Sequence, residues 1–181
     1  YMDVMASHRA GVVNVVAASG TALTEKQLKL IKRFTDNIAL CFDTDSAGVK
    51  AMLRSYKLAQ SFDMNTKVVQ LQFGKDPDEL INKDATLWEK AIKESKHLID
   101  YYFDITLKKM DLNKLEHQKQ VRDKLLPLIM SSSDTVERNH FLDKLSTILK
   151  IDKQDLIKDS ERFKNPNAGR AQVNQSTTDN R

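Results

Sequence analysis

The fold is decided by residues 38–48, which read Ile-Ala-Leu-Cys-Phe-Asp-Thr-Asp-Ser-Ala-Gly. The first five residues form a short apolar run, of the kind found in strands that are covered on both faces. Two aspartates, Asp43 and Asp45, follow it directly. From residue 46 the apolar side chains recur at spacings of three and four, as on one face of a helix. The stretch therefore predicts a buried strand, an acidic loop and a helix over residues 46–62, in that order.

The same alternation of strand and helix extends on both sides of this stretch. Further apolar runs occupy residues 14–18 and 67–73. Between the first two runs, Thr24 with Gln27 forms the pattern of a helix-capping box. After the last run, Asp76 followed by Pro77 is typical of another helix start. Strands separated by helices at this interval form β-α-β units with parallel strands. Residues 1–83 therefore predict an α/β domain with a parallel sheet and flanking helices.

From residue 84 the pattern changes to helices alone. Five segments carry helical periodicity, and these are residues 85–96, 97–110, 113–131, 134–150 and 152–163. Asp134 and Asp152 stand where N-caps are expected. Residues 84–163 therefore predict an all-helical subdomain, in the form of a bundle. Residues 164–181 are polar and almost free of apolar side chains, which predicts a linker or tail.

Composition excludes several classes of protein. The chain has 181 residues, a formal net charge of +4 and one cysteine, Cys41. One thiol cannot form an internal disulfide, and cysteine-based zinc sites need at least two. No apolar run approaches the ~18 residues that span a bilayer, and we recognise no signal peptide. We therefore expect a soluble, cytoplasmic, helix-rich protein without a membrane partner, whose mild charge permits a nucleic-acid partner without requiring one.

Two predicted strands end in pairs of aspartates. Asp43 and Asp45 follow one strand, and Asp76 and Asp78 follow the next. Residues two apart in extended chain point to the same side, and carboxylates that meet at one point need a bridging cation or a proton. Oxygen ligands of this kind suit Mg²⁺, and two such pairs could hold two ions. The alternative is that Asp45 and Asp76 are helix caps.

Four motifs together resemble bacterial DnaG-type DNA primases. They read Tyr-Met-Asp-Val from residue 1, Ala-Ser-Gly-Thr-Ala-Leu-Thr from 18, Cys-Phe-Asp-Thr-Asp-Ser-Ala-Gly from 41 and Gly-Lys-Asp-Pro-Asp-Glu-Leu from 74. Each motif is weak alone, but all four stand in the order and spacing of the Toprim segment of that family. The helices that follow look like the helical subdomain of the same primases. The resemblance covers residues 1–163.

The resemblance implies a nucleotidyltransferase that makes short RNA primers on single-stranded DNA at the replication fork, with Mg²⁺ or Mn²⁺. In the family the Asp-x-Asp pair is catalytic and binds metal, which maps onto Asp43 and Asp45. The Asp-Pro-Asp carboxylates map onto Asp76 and Asp78, and the aspartate of the first motif maps onto Asp3. The implied partners are template DNA, ribonucleoside triphosphates, the RNA primer and the replicative helicase.

Several parts of such a primase are expected to lie outside this chain. In the family a Glu-Gly pair stands directly before the residue equivalent to Tyr1, and that glutamate is a principal catalytic carboxylate. The basic subdomain that grips the template, the zinc-binding domain and the helicase-binding domain are also expected elsewhere. Residues 1–83 would then be a partial Toprim domain, and we expect the chain to be inactive as a primase by itself.

Three further residues are candidates for nucleotide binding. Lys75 lies beside Asp76 and could contact a triphosphate, or it could balance the charge of the acidic loops. Gly20 and Thr21 form a predicted turn after the first apolar run, which could position a nucleotide or cap the strand. Two rival functions remain open at this point. One is another Toprim enzyme, a topoisomerase or nuclease, and the other is a non-catalytic module that binds a partner.

Overall fold

The computed structural model describes residues 1–18, 23–42 and 45–164, without the side chains of 162–164. The chain forms two compact units, residues 1–102 and residues 103 onward, and each is described by itself. The predicted domain boundaries at 83/84 and 163/164 rest on sequence pattern and stay a prediction. None of the helices in the described ranges is long and apolar enough to cross a membrane.

The first unit contains a small sheet surrounded by helices. Its elements in chain order are α1 (Met2–Arg9), α2 (Glu25–Lys32), β1 (Asn37–Leu40), α3 (Ser46–Gln60), β2 (Asn65–Val68), α4 (Pro77–Lys83), α5 (Ala85–Lys93) and β3 (Lys96–His97), followed by α6 (Leu98–Leu107), which continues into the second unit. The sheet order is β1-β2-β3.

The sheet is mixed. β1 and β2 are parallel, with Asn37 opposite Asn65 and Leu40 opposite Val68, and α3 is the crossover between them. β2 and β3 are antiparallel over two residues. The predicted α/β class with a parallel strand pair, followed by a helical region, is therefore confirmed, because the decisive stretch forms β1 and α3.

Two details of the predicted sheet are wrong. Residues 14–18 form no strand, and Val13 and Val16 are 67% and 71% exposed. A strand needs a neighbouring backbone to pair with, and the described part of the chain supplies none to this segment. Conversely, β3 lies in the region expected to be all helical. Two residues are too few to show an apolar alternation, so β3 left no signal in the sequence.

Local capping explains where the helices begin. Thr24 accepts a hydrogen bond from the backbone N–H of Gln27, and the side chain of Gln27 accepts one from Thr24, so the predicted capping box is present. Asp134 accepts hydrogen bonds from two backbone N–H groups at the start of the helix Thr135–Leu149. Each such cap stabilises a helix by about 1 kcal/mol.

One core cluster of the first unit is formed by the segment that directly follows β2, together with α4 and α5. The buried side chains of this cluster are Val69, Leu71, Leu80, Trp88 and Ala91. Trp88 is 3% exposed, so it belongs to the core. A second cluster, of Leu28, Ala59 and Met64, joins α2 and α3 to the start of β2.

The second unit is a small helical bundle, as predicted. It contains α7 (Leu115–Ile129), α8 (Thr135–Leu149) and α9 (Lys153–Lys164), which contact one another pairwise. Their buried residues include Val121, Leu125, Ile129, Leu142, Leu145 and Leu156. These recur at helical spacing, and this periodicity is the signal from which the helices were predicted.

Candidate functional site

The structure describes five of the eight predicted site residues. Asp43, Gly20 and Thr21 lie outside the described residues. The five described residues are Asp3, Asp45, Lys75, Asp76 and Asp78. All belong to the first unit, at the start of α1, at the start of α3 and around the start of α4. Their roles as metal or nucleotide ligands are not tested by this geometry and stay predictions.

Asp45 is the N-cap of α3. Its Oδ1 atom accepts a hydrogen bond of 2.7 Å from the backbone N–H of Gly48. This confirms the capping role that the sequence left open for Asp45. The cap also holds the carboxylate at the positive end of a helix of 15 residues, where a negative charge is stabilised.

Asp76 is the N-cap of α4, in the same way. Its Oδ1 atom accepts a hydrogen bond of 2.8 Å from the backbone N–H of Glu79. Pro77 occupies the first position of the helix, where its missing N–H costs nothing. Asp45 and Asp76, the two aspartates predicted as possible caps, therefore both cap helices. The carboxylate of each lies at the junction between its helix and the preceding loop.

Asp3 and Asp78 are brought together by the packing of α1 against α4. Asp3 Oδ1 accepts a hydrogen bond of 3.3 Å from the backbone N–H of Asp78. The first N–H groups of α4 are thereby all accounted for, because Pro77 has none, Asp78 donates to Asp3 and Glu79 donates to Asp76. Asp3 thus acts as a second cap for α4, supplied from a distant part of the chain.

Arg9 is a neighbour of this site that sequence reasoning missed. Its Nη2 atom lies 3.7 Å from Asp78 Oδ1, and the two side chains are 70% and 31% exposed. The guanidinium therefore offsets part of the negative charge of Asp78, weakly because water screens so exposed a pair. The sequence places Arg9 only in the last turn of α1. No local signal indicates that this turn faces α4.

The loop before α4 has a defined shape. Gly74 has φ of +78°, a conformation that strongly favours glycine. The backbone N–H of Lys75 donates a hydrogen bond of 2.9 Å to Glu79 Oε2. Lys75, which directly precedes Asp76 in the sequence, therefore has its backbone held by α4.

The described part of the site fits a hard cation in its chemistry. Asp3, Asp76 and Asp78 offer carboxylate oxygens, with no sulfur or imidazole among them. Mg²⁺ takes one or two carboxylates and keeps several waters, so it needs no larger protein cage. Within the described ranges no group of three or more His, Cys, Asp or Glu side chains converges as a metal cluster.

A small cavity lies beside the carboxyl ends of β1 and β2. It is lined by Phe42, Gly48, Met52, Val69 and Tyr101, among others, and measures about 10 Å³. That volume accommodates about one water molecule. Burial raises the pKa of the Tyr101 hydroxyl above its ordinary value. A nucleotide is far too large for this cavity.

Comparison with known proteins places both parts of the chain in one family. A family model described as Toprim-like matches residues 1–81, and one described as the DnaB-helicase binding domain of primase matches residues 99–154. The DNA primase of Borreliella burgdorferi is 33% identical over 165 residues, which cover 91% of this chain and 32% of that protein.

Solved structures agree with these matches. A DNA primase domain from Pseudomonas aeruginosa has a TM-score of 0.73 and 27% identity, covering 87% of this chain and 51% of that one. A DnaG primase catalytic domain bound to single-stranded DNA has a TM-score of 0.72 and 27% identity, covering 86% of this chain and 50% of that one.

The fold and the matches define a Toprim-like α/β unit joined to a helical primase region. The chain belongs to the bacterial DnaG-type DNA primases. It spans about a third of the length of the curated relative described above. Residues 99–154, which that second model matches, fall within the predicted helical subdomain, and whether they bind a helicase stays a prediction.

Proposed function

We propose that this chain is part of a DNA primase, a nucleotidyltransferase that synthesises short RNA primers on single-stranded DNA for replication. The observation that carries the proposal is the alignment of 91% of the chain with a DNA primase. A hydrogen bond between the Asp3 carboxylate and the backbone N–H of Asp78 is consistent with it. The family membership disfavours the rival reading as a topoisomerase or nuclease.

The proposed catalytic and metal-binding residues are Asp43 and Asp45, with Asp76, Asp78 and Asp3 as further carboxylates of the same acidic centre. When bound, Mg²⁺ or Mn²⁺ neutralises the triphosphate and assists attack of a 3′-hydroxyl on the α-phosphorus. Asp45 and Asp76 are each held in place by a hydrogen bond from the first turn of the helix that they cap. Asp3 accepts the backbone N–H of Asp78.

Lys75, Gly20 and Thr21 are the proposed nucleotide-binding residues. The support for Lys75 is its place next to Asp76, in a loop whose backbone is tied to Glu79. An ammonium group there can pair with triphosphate oxygens as a point charge. Gly20 and Thr21 are proposed from the resemblance of their motif alone.

The proposed partners are template DNA, ribonucleoside triphosphates, the RNA primer and the replicative helicase. The DNA partner is supported by a structural relative that was solved with single-stranded DNA. The helicase is supported by the matched region at residues 99–154, which includes the whole of α7 and α8. The place of action would be the cytoplasm, at the replication fork.

The experiment that tests this function is a chimera. The matched stretch of the Borreliella burgdorferi primase is replaced by this chain, and primer synthesis is measured on single-stranded DNA with Mg²⁺. We expect the chimera to make primers. Introducing Asp43→Ala should lower the rate of primer synthesis at least about a hundredfold, the usual effect of removing a group that stabilises charge in the transition state. A folded chimera that makes no primers contradicts the proposal.

The matched control variant is Asp36→Ala. Asp36 directly precedes β1 and pairs with Lys32 on the exposed surface. Its removal should leave primer synthesis within about twofold, because exposed pairs contribute little. Equal losses in the Asp36 and Asp43 variants would point to general damage of β1 rather than to an acidic centre.

Because the chain spans about a third of its relative's length, we further propose that it makes no primers by itself. Incubation of the 181-residue chain with template, ribonucleotides and Mn²⁺ should give none. Robust synthesis by the chain alone overturns this part of the proposal. Zinc is proposed only for a domain outside this chain, in keeping with its single cysteine.

A further inference from the structure

Glu79 is a residue to which neither the motifs nor the comparisons assign a role. It lies on the first turn of α4, its side chain is exposed, and it follows the Asp-Pro-Asp carboxylates directly. We propose that Glu79 is a positioning residue, which fixes the loop that carries Lys75 and Asp76 and thereby sets the geometry of the acidic site. This inference rests on the proposed function, because it concerns the same site.

The first support is two hydrogen bonds of Glu79, one made by its side chain and one by its backbone. Glu79 Oε2 accepts the backbone N–H of Lys75 at 2.9 Å, and the backbone N–H of Glu79 donates to Asp76 Oδ1 at 2.8 Å. The two bonds close the five residues from Lys75 to Glu79 into a ring, as a capping box closes the start of a helix. Glu79 therefore holds the loop backbone on one side of Asp76 while its own backbone orients the carboxylate of Asp76.

The second support is the close approach of Gly74. A Cβ atom at this position would lie 3.1 Å from Cβ of Glu79 and 3.3 Å from its Oε2. The loop therefore passes so close to Glu79 that the position favours glycine on contact grounds. The positive φ of Gly74 favours it on conformational grounds as well.

The third support is that both ends of the loop are attached to α4. At its beginning, the ammonium group of Lys83 lies 4.2 Å above the ring of Phe73. At its end, Asp76 Oδ1 accepts the backbone N–H of Glu79, and between them the N–H of Lys75 donates to the Glu79 side chain. The loop is thus bound to α4 at three residues, and that helix is joined to α1 through Asp78 and Asp3.

The test separates the hydrogen bond of Glu79 from its charge. In Glu79→Gln the amide oxygen can still accept the N–H of Lys75, whereas Glu79→Ala has no acceptor. We expect hydrogen exchange of the Lys75 amide, measured by NMR on the 181-residue chain, to become about fivefold faster in Glu79→Ala and to stay near the parent rate in Glu79→Gln. An unchanged rate in Glu79→Ala overturns the proposal.

Calorimetric titration with Mn²⁺ is the second measurement. A positioning role predicts severalfold weaker binding in Glu79→Ala and near-parent binding in Glu79→Gln. A direct ligand role predicts that both variants lose affinity, and a merely structural role predicts a lower melting temperature with unchanged affinity, so either result overturns the proposal. Glu89→Ala on α5, which removes an exposed glutamate paired with Lys93, is the matched control and should change neither readout.

The two proposals fail in different ways. A parent chain that binds no Mn²⁺ speaks against the proposed metal site. Exchange of the Lys75 amide still decides the role of Glu79 in that case, because it requires no metal. As a second variant, Gly74→Ala should speed the same exchange by crowding Glu79, and a normal rate there contradicts the inferred close approach.

Discussion

The carboxylate of Asp3 accepts a hydrogen bond from the backbone N–H of Asp78, 75 residues further along the chain. This bond joins the first turn of α1 to the first turn of α4. It places two carboxylates of the candidate acidic site on helices that pack against each other. Asp3 therefore has a structural role that can be measured without substrate or metal.

Replacing Asp3 by alanine should lower the free energy of unfolding by about 1 kcal/mol, the usual contribution of a helix cap. Asp3→Asn should lose less, because its amide oxygen can still accept the N–H of Asp78. Urea unfolding of the 181-residue chain measures both. The control is Glu116→Ala, which removes an acidic residue from the first turn of α7. If Asp3→Ala and Glu116→Ala lose the same free energy of unfolding, the prediction is wrong, because the loss would then reflect only the removal of an acidic residue from the start of a helix.

Removing Arg9 should strengthen cation binding while hardly changing stability. Arg9 lies 3.7 Å from the carboxylate of Asp78 and is largely exposed, so its pair contributes at most about 1 kcal/mol. We expect Arg9→Ala to bind Mn²⁺ about two- to fivefold more tightly, because a competing positive charge is gone. Titration calorimetry at low salt measures this. Arg33→Ala on the exposed end of α2 is the control, and weaker binding in Arg9→Ala would show that Arg9 supports the site.

Trp88 should contribute strongly to stability. It is buried with Val69, Leu71 and Leu80, and its truncation to alanine should cost about 3–5 kcal/mol. The matched control is Phe34→Ala, because Phe34 is 80% exposed. We expect the free energy of unfolding of this variant to lie within about 0.5 kcal/mol of that of the parent. Circular dichroism is the appropriate probe, since the chain has one tryptophan. A small effect at Trp88 would contradict its place in the core.

Alkaline pH should destabilise the first unit through Tyr101. Burial raises the pKa of Tyr101 above its ordinary value of 10.0, with a smaller contribution from Cys41. Because the folded pKa lies above the unfolded one, the stability linked to this group is present below about pH 10 and falls as the pH rises toward the folded pKa. Unfolding free energies measured on both sides of pH 10 should therefore decrease less in Tyr101→Phe than in the parent.

A tyrosinate absorbance titration gives the direct check on the same group. Tyr102 also has a raised pKa because of burial, so the parent should show a late-titrating fraction that shrinks in either single Tyr→Phe variant. Tyr1, 79% exposed, supplies the control variant Tyr1→Phe, in which the late fraction should persist. Loss of the late fraction on removing Tyr1 would contradict the assignment.

Features that depend on neighbours in sequence were predicted well. The capping box at Thr24 and the caps Asp76 and Asp134 are present at the predicted residues. The helical periodicity beyond residue 84 yields α5 to α9 within a few residues of the predicted ranges. In each case the deciding contact spans two to four residues, or repeats at helical spacing, so the sequence contains all of it.

Features that depend on remote contacts were missed or misread. The apolar residues 14–18 looked like a strand, but no neighbouring strand pairs with them in the described part of the chain. The two residues of β3 pair with β2 from about thirty positions away. Arg9 carries no motif, and its relation to Asp78 exists because α1 packs on α4.

The sequence by itself determined the class of fold, the starts of the capped helices, the family and the set of candidate carboxylates. Each of these follows from local spacing or from short motifs. Tertiary structure alone decided that Asp3 caps a helix far along the chain and that Arg9 stands beside Asp78. The physical reason is that a hydrogen bond or ion pair acts over a few ångströms, and only the packing of α1 against α4 brings these residues within that range.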